Sequence, residues 1–157
     1  MIALSSGRVL AALVVLSGTL VAPAHATGEV ELFFAQSGNN RISRYADATT
    51  TTMLDPGMSP SGIAVDPYTE KVWSVSQSAA GVFRANLDGS DLETVIASTT
   101  GTLWDVAVDP VDQHVFYAGV GAPLRRAGYD GSGIISLAGN FANVVTLQVD
   151  VANRKIY

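Results

Sequence analysis

The 157-residue chain contains no cysteine and only two histidines, and just 15% of its residues are charged. Without cysteine there is no disulfide framework and no thiolate nucleophile, so stability has to come from packing and hydrogen bonds. Only His114 lies beyond the first 26 residues, so a zinc site has too few of its preferred ligands there. His114 occupies a position filled by Lys71 and Lys155 in equivalent segments, which reads as a surface position. No nucleophile elbow surrounds any serine, and no phosphate-cradling glycine loop opens a helix. No cofactor and no catalytic residue is expected, and the balance leans against an enzyme. Basic residues are also scarce. With Arg8 set aside, 8 Lys and Arg face 14 Asp and Glu. Nucleic acid and anionic membrane surfaces both call for a basic face and are disfavoured as partners.

Long apolar runs are confined to the beginning. Arg8 precedes Val9–Ala22, and Ala24-His25-Ala26 is a small-x-small cleavage signature. This pattern predicts a signal peptide over 1–26 and a mature chain over 27–157, secreted, periplasmic or at the cell surface. The apolar stretch is too short to span a bilayer, so no membrane attachment is expected after cleavage. Export without cysteine, in a chain rich in Ala, Val, Gly and Thr, leans toward a bacterial protein.

What fills the rest is a repeat of about 42 residues. Gly62–Trp73 returns as Asp105–Phe116 and again as Thr146–Tyr157. Asp66, Asp109 and Asp150 each stand seven residues before an aromatic, and Arg84 and Arg126, like Asp88 and Asp130, are 42 residues apart. Subtracting a unit from Trp73 and Arg84 lands on Phe33 and Arg44, so 27–157 begins at the second strand of a unit. The complete unit predicts strands at Ile63–Asp66, Lys71–Ser76, Gly81–Leu87 and Leu92–Ala97. Asp66-Pro67 marks one turn and Asp88-Gly89 a tight hairpin. Four strands joined by short turns make an antiparallel meander, one blade of a β-propeller. The expected fold is all-β: about three blades plus the start of a fourth, an incomplete part of a propeller. A truncated sequence, or a short form that assembles with other copies, would account for the count.

The segments VDPYTEKVW and GVFRANLDGSDLETVIA resemble the YWTD repeat of low-density lipoprotein receptor class B domains and, more loosely, NHL-type repeats. The resemblance covers most of 27–157 and implies a six-bladed propeller. The signature tetrapeptide falls at Trp73–Ser76 and Phe116–Gly119, with Ser76 and Gly119 in its acidic fourth place. A receptor-type ligand is therefore not carried over.

Residues that recur in every unit are expected to be architectural, so function is sought where copies disagree. Trp104 and Asp105 stand where the other units have Ser61-Gly62 and Val145-Thr146. The loop joining second and third strands carries Gln77 in one unit, and Pro123 and Arg125 in the next. Trp104, Asp105, Gln77 and Arg125 are the candidate binding residues. They would form a polar-aromatic rim for a protein, peptide or glycan ligand. Two other readings stay open. One is a metal-dependent, lactonase-like hydrolase with its key residues in further C-terminal blades. The other is a structural module of a larger exported protein.

Overall fold

A computed structural model of the chain describes residues 2–5, 8–14, 29–46, 49–54, 59–97, 99, 101–140 and 144–157. The described residues form fifteen strands in four sheets. Blade one holds β1 (Ile2–Ser5), β2 (Arg8–Val14), β3 (Glu29–Gln36), β4 (Arg41–Ala46) and β5 (Thr49–Leu54). Blade two is β6 (Pro60–Asp66), β7 (Lys71–Ser76), β8 (Val82–Asn86) and β9 (Glu93–Ile96). Blade three is β10 (Thr102–Asp109), β11 (His114–Val120), β12 (Ala122–Gly128) and β13 (Ile135–Asn140). A fourth sheet starts with β14 (Val149–Asp150) and β15 (Lys155–Ile156). Blades two and three are four-stranded antiparallel meanders in sequence order. This is the propeller blade that the repeat predicts.

The blades stack because both faces of each sheet are apolar. Along β7, Trp73 and Val75 point one way and Val72 the other. Val72, with Ile63, Val65 and Ala85, packs on Phe33, Ala35 and Ile42 of blade one. Trp73 and Val75 pack on Val106, Val108, Val115 and Tyr117 of blade three. Ala107 and Phe116, on the far face of blade three, meet Val149 and Ile156. Trp73 is fully buried. Burying an indole of that size removes enough apolar area to supply roughly 4–6 kcal/mol of transfer free energy.

The recurring acids fix the turns. Asp66 Oδ1 accepts the N–H groups of Tyr68 (2.8 Å) and Thr69 (3.2 Å), and Asp109 Oδ1 those of Val111 (3.0 Å) and Asp112 (3.2 Å). Asp150 does the same for Asn153 at 3.0 Å. Each of these turns ends on a left-handed residue, Glu70, Gln113 or Arg154, with φ between 52° and 54°. The later turn is longer than the two-residue hairpin expected from Asp-Gly. The N–H of Gly89 bonds the carbonyl of Asn86 and the N–H of Asn86 that of Ser90, both at 2.9 Å. Gly89 takes a φ of 88°. Asp88 Oδ1 accepts both the N–H and the hydroxyl of Ser90, and Asp130 repeats this with Ser132.

At the beginning of the chain, residues 1–26 are expected to lie outside the fold, whereas in the whole chain β2 lies alongside β3. It pairs in parallel, from Arg8↔Glu29 to Val14↔Ala35. Every other pairing among the described strands is antiparallel. The Ala24-His25-Ala26 signature lies outside the described residues. No helix among the described residues is long and apolar enough to cross a membrane.

Candidate functional site

The innermost strands begin earlier than the sequence suggests, because each carries a bulge. In β6, Pro60 pairs with Ser76 and Gly62 with Val75, leaving Ser61 as the extra residue. In β10, Leu103 pairs with Gly119 and Asp105 with Ala118, leaving Trp104 as the extra residue. Trp104 is therefore not in the loop ahead of the strand but inside it, at a bulge that re-aims its side chain. Gly119 makes this possible. A Cβ there would stand 1.8 Å from the carbonyl oxygen of Thr102.

The two bulges hold different chemistry. The Ser61 hydroxyl is buried and donates to the carbonyl of Leu103 in the next blade at 2.9 Å. It is a rivet between blades. Trp104 is half-buried, and its Nε1 is buried without a hydrogen-bond partner. An indole N–H ordinarily finds an acceptor when it is withdrawn from water.

Asp105 is only 8% exposed. Its Oδ1 accepts the N–H of Val106 at 2.9 Å, and its Oδ2 accepts the N–H of Leu147 at 2.7 Å. Burial pushes its carboxyl above the ordinary value, against the opposing pull of those two N–H groups and of Thr146. The inner strands nearly touch here: a Cβ on Gly62 would lie 2.4 Å from Asp105 Oδ1. Asp105 thus ties blade three to the segment ahead of β14.

Gln77 sits half-buried just after β7, with its N–H on the carbonyl of Ser59 at 3.0 Å. Arg125 is not a loop residue. It lies within β12, opposite Tyr117 in β11. Burial raises the pKa of the Tyr117 hydroxyl, and the adjacent Arg125 opposes that rise. Tyr117 belongs to the core that blade three shares with blade two, so Arg125 is on that face. Asp105 pairs with Ala118, which puts it on the opposite face. The structure brings Trp104 and Asp105 together at one bulge and Arg125 together with Tyr117. Asp105 and Arg125 lie on opposite faces of one sheet. Asn143, ahead of the third copy of the repeat, lies outside the described residues. His114 is half-buried with its ring edge-on to Phe116, 6.4 Å between centroids. Among the described residues, no group of three His, Asp or Glu is arranged to hold a metal ion.

Sequence reasoning missed Tyr129. Its ring packs on Trp73 at 4.6 Å between centroids, and its hydroxyl donates to Asp66 Oδ2 at 2.9 Å. Arg84 donates to its carbonyl at 3.1 Å, lies 5.0 Å from the centre of the Trp73 ring and pairs with Glu93. Burial first, and then the Asp66 carboxylate, hold the Tyr129 hydroxyl protonated well above its usual range. The signal was present: Tyr129 stands where blade two has Leu87, a position at which copies disagree. A separate open cleft of about 500 Å³ is lined by Arg44, Thr69, Glu70, Lys71, Asn86, Leu87 and Asp88, between blades one and two.

No protein-family profile matches the chain, and no curated protein matches it. Solved structures do. A chain of the nidogen/laminin complex superposes with a TM-score of 0.74 at 18% identity, over 79% of this chain and 50% of its own length. A Bacteroides thetaiotaomicron protein of unknown function gives 0.63 at 17% identity, over 80% of this chain and 34% of its own. Regucalcin, a calcium-binding protein of Agrobacterium tumefaciens, gives 0.57 at 19% identity, over 68% of this chain and 39% of its own. The chain therefore spans half or less of the length of these proteins. Together with the repeated four-stranded sheets, this likeness identifies the fold as part of a β-propeller.

Proposed function

We propose that the chain is an exported propeller-type binding module that presents a loop-lined face to a protein, peptide or glycan ligand. The observation that carries this reading is Trp104. It breaks the repeat at the bulge of an inner strand and keeps part of its ring exposed, while the equivalent Ser61 is buried as a rivet. Its buried Nε1 lacks an acceptor. Export rests on Arg8, the apolar run after it and Ala24-His25-Ala26. A protein partner is supported by the likeness to a chain crystallised as the nidogen/laminin complex. The test is a binding screen of the protein against purified exported proteins, peptides and glycan arrays, repeated with Trp104→Ala. The reading expects a ligand whose affinity falls about tenfold or more with an unchanged melting curve, as for an aromatic anchor. Loss of the fold, or unchanged affinity, would contradict it.

The second reading is a hydrolase of the lactonase kind. Asp105 favours it, as a buried acid that departs from the repeat on an inner strand. Lactone hydrolysis that needs an added divalent cation and disappears with Asp105→Asn would support it over the binding reading.

A further inference from the structure

The two ends of the blades differ in charge. One end carries the turns 67–70, 87–92, 110–113, 129–134 and 151–154, which contain Glu70, Asp88, Asp91, Asp112, Asp130 and Arg154. The other end carries the connections 37–40, 77–81, 97–101, 121 and 144–148, and none of the described residues in them is charged. Arg41, the first residue of β4, adjoins them. Trp104, the third residue of β10, lies toward this uncharged end.

Hydrogen bonds join these connections into one frame. Ser59, just ahead of β6, donates its hydroxyl to the carbonyl of Ser37 at 3.3 Å, and its N–H to the hydroxyl of Ser78 at 3.2 Å. Ala79 donates its N–H to the hydroxyl of Ser76 at 3.1 Å. Thr99 gives both its N–H and its hydroxyl to the carbonyl of Ala80 at 2.7 Å. Asn39 and Asn40 stand exposed on this frame and Gln77 half-buried. Trp104 has an inner-strand neighbour on each side. Ser61 in β6 donates to the carbonyl of Leu103, and the N–H of Leu147, ahead of β14, donates to Asp105. The exposed part of the indole is what these two neighbours leave uncovered.

We propose that this end binds a neutral oligosaccharide, one sugar ring stacked on Trp104 and the chain following the frame toward Gln77 and Asn39. The inference rests on the binding-module reading and names its ligand. A sugar ring offers an apolar C–H face to the negative face of an indole. Its hydroxyls both donate and accept, as side-chain amides do. Nothing ionised has to be stripped of water when the two meet. A ligand carrying several charges would find too few countercharges among these connections to replace the water it loses.

The test titrates the whole chain with neutral oligosaccharides of β-linked glucose, of β-linked N-acetylglucosamine and of α-linked mannose, followed by tryptophan fluorescence. Trp73 is fully buried, so the change on binding reports Trp104. Saturable binding to at least one of the three is expected, and high salt should leave it unchanged, because no ion pair is screened. Trp104→Ala, followed by calorimetry, should weaken it about tenfold or more, as for an aromatic anchor. Gln77→Ala should weaken it several-fold with an unchanged melting curve. Tyr68→Ala, at an exposed position of the charged end, should leave it intact. Failure of all three sugars to bind would overturn the proposal, as would binding that survives Trp104→Ala or Gln77→Ala. Binding confined to acidic oligosaccharides and lost in high salt would also overturn it. A peptide or protein whose binding needs Trp104, with no oligosaccharide bound, would overturn the glycan and leave the binding module standing. Absence of any ligand that needs Trp104 would overturn both.

Discussion

The junction between blades two and three and the junction between blades three and four are built from the same repeat positions, and among the described residues only the first receives a residue that follows the third strand of the next blade. At that first junction an indole, a guanidinium and a carboxylate converge on Tyr129. At the other, the same three positions hold Phe116, Arg126 and Asp109, and the outer strand beside them exposes Ile135 and Leu137. Regular residues thus make a receptor, and the residue that fills it differs between copies. Leu87 takes the place of Tyr129 between blades one and two. There an apolar side chain packs against the cluster of Phe33 and Val72 without any hydroxyl bond.

Removing the largest buried group should break the first junction most severely. Trp73→Ala is expected to cost about 3–5 kcal/mol in urea unfolding, the usual range for an aromatic deleted from a packed core. Phe116→Ala should cost less, because its flank is less fully covered. Next in size is Gly119→Ala, whose Cβ would stand 1.8 Å from the carbonyl of Thr102. Forcing the bulge apart should cost about 1–3 kcal/mol by the same measurement. Gly38→Ala, with no atom within 4 Å of its Cβ, is the control and should be near neutral.

Tyr129→Phe deletes only the hydroxyl bond to buried Asp66 and should cost about 1–3 kcal/mol, since it leaves a buried carboxylate oxygen with one partner fewer. The hairpins should give the smallest effect. Hydrogen bonds from Ser90 and Ser132 hold the Asp88 and Asp130 carboxyls below their ordinary value of 3.8. An acid with a lowered folded pKa adds stability above its unfolded value and loses it as pH falls through the folded value. Ser90→Ala and Ser132→Ala should therefore destabilise slightly at neutral pH, and the difference from the parent should vanish in strong acid. Carboxyl titration by NMR should show the two midpoints rising toward 3.8.

Much of the scaffold was legible because it depends on short-range chemistry. The Asp-Pro and Asp-Gly-Ser turns draw on side-chain bonds two or three residues away, and alternation along Lys71–Ser76 sets which face Trp73 joins. The bulges were not legible. They depend on how closely β10 approaches β11 at Gly119, a matter of register between strands. Pro123 misled in the same way. By sequence it counts with Arg125 in the loop between second and third strands, but it lies inside β12 near its start, opposite Asn140. The hydroxyl bond from Tyr129 to Asp66 spans 63 residues, and nothing local to either residue announces it. Of the candidate rim, Trp104 emerges as a residue released by its bulge. The carboxylate of Asp105 is engaged in holding blade three to Leu147, just ahead of β14.

Native-state hydrogen exchange is the most direct test of the claim that Tyr129 locks blade three onto blade two. The N–H of Tyr129 bonds Gln113 at 2.9 Å beneath the Trp73 ring, and that of Tyr157 bonds Gln148 at 2.8 Å at the edge of the two-stranded sheet. The distances are alike, so a difference in protection reports the packing around each bond. The account predicts that the Tyr129 amide exchanges only through global unfolding, and the Tyr157 amide orders of magnitude faster through local opening. Equal protection at the two sites would contradict it.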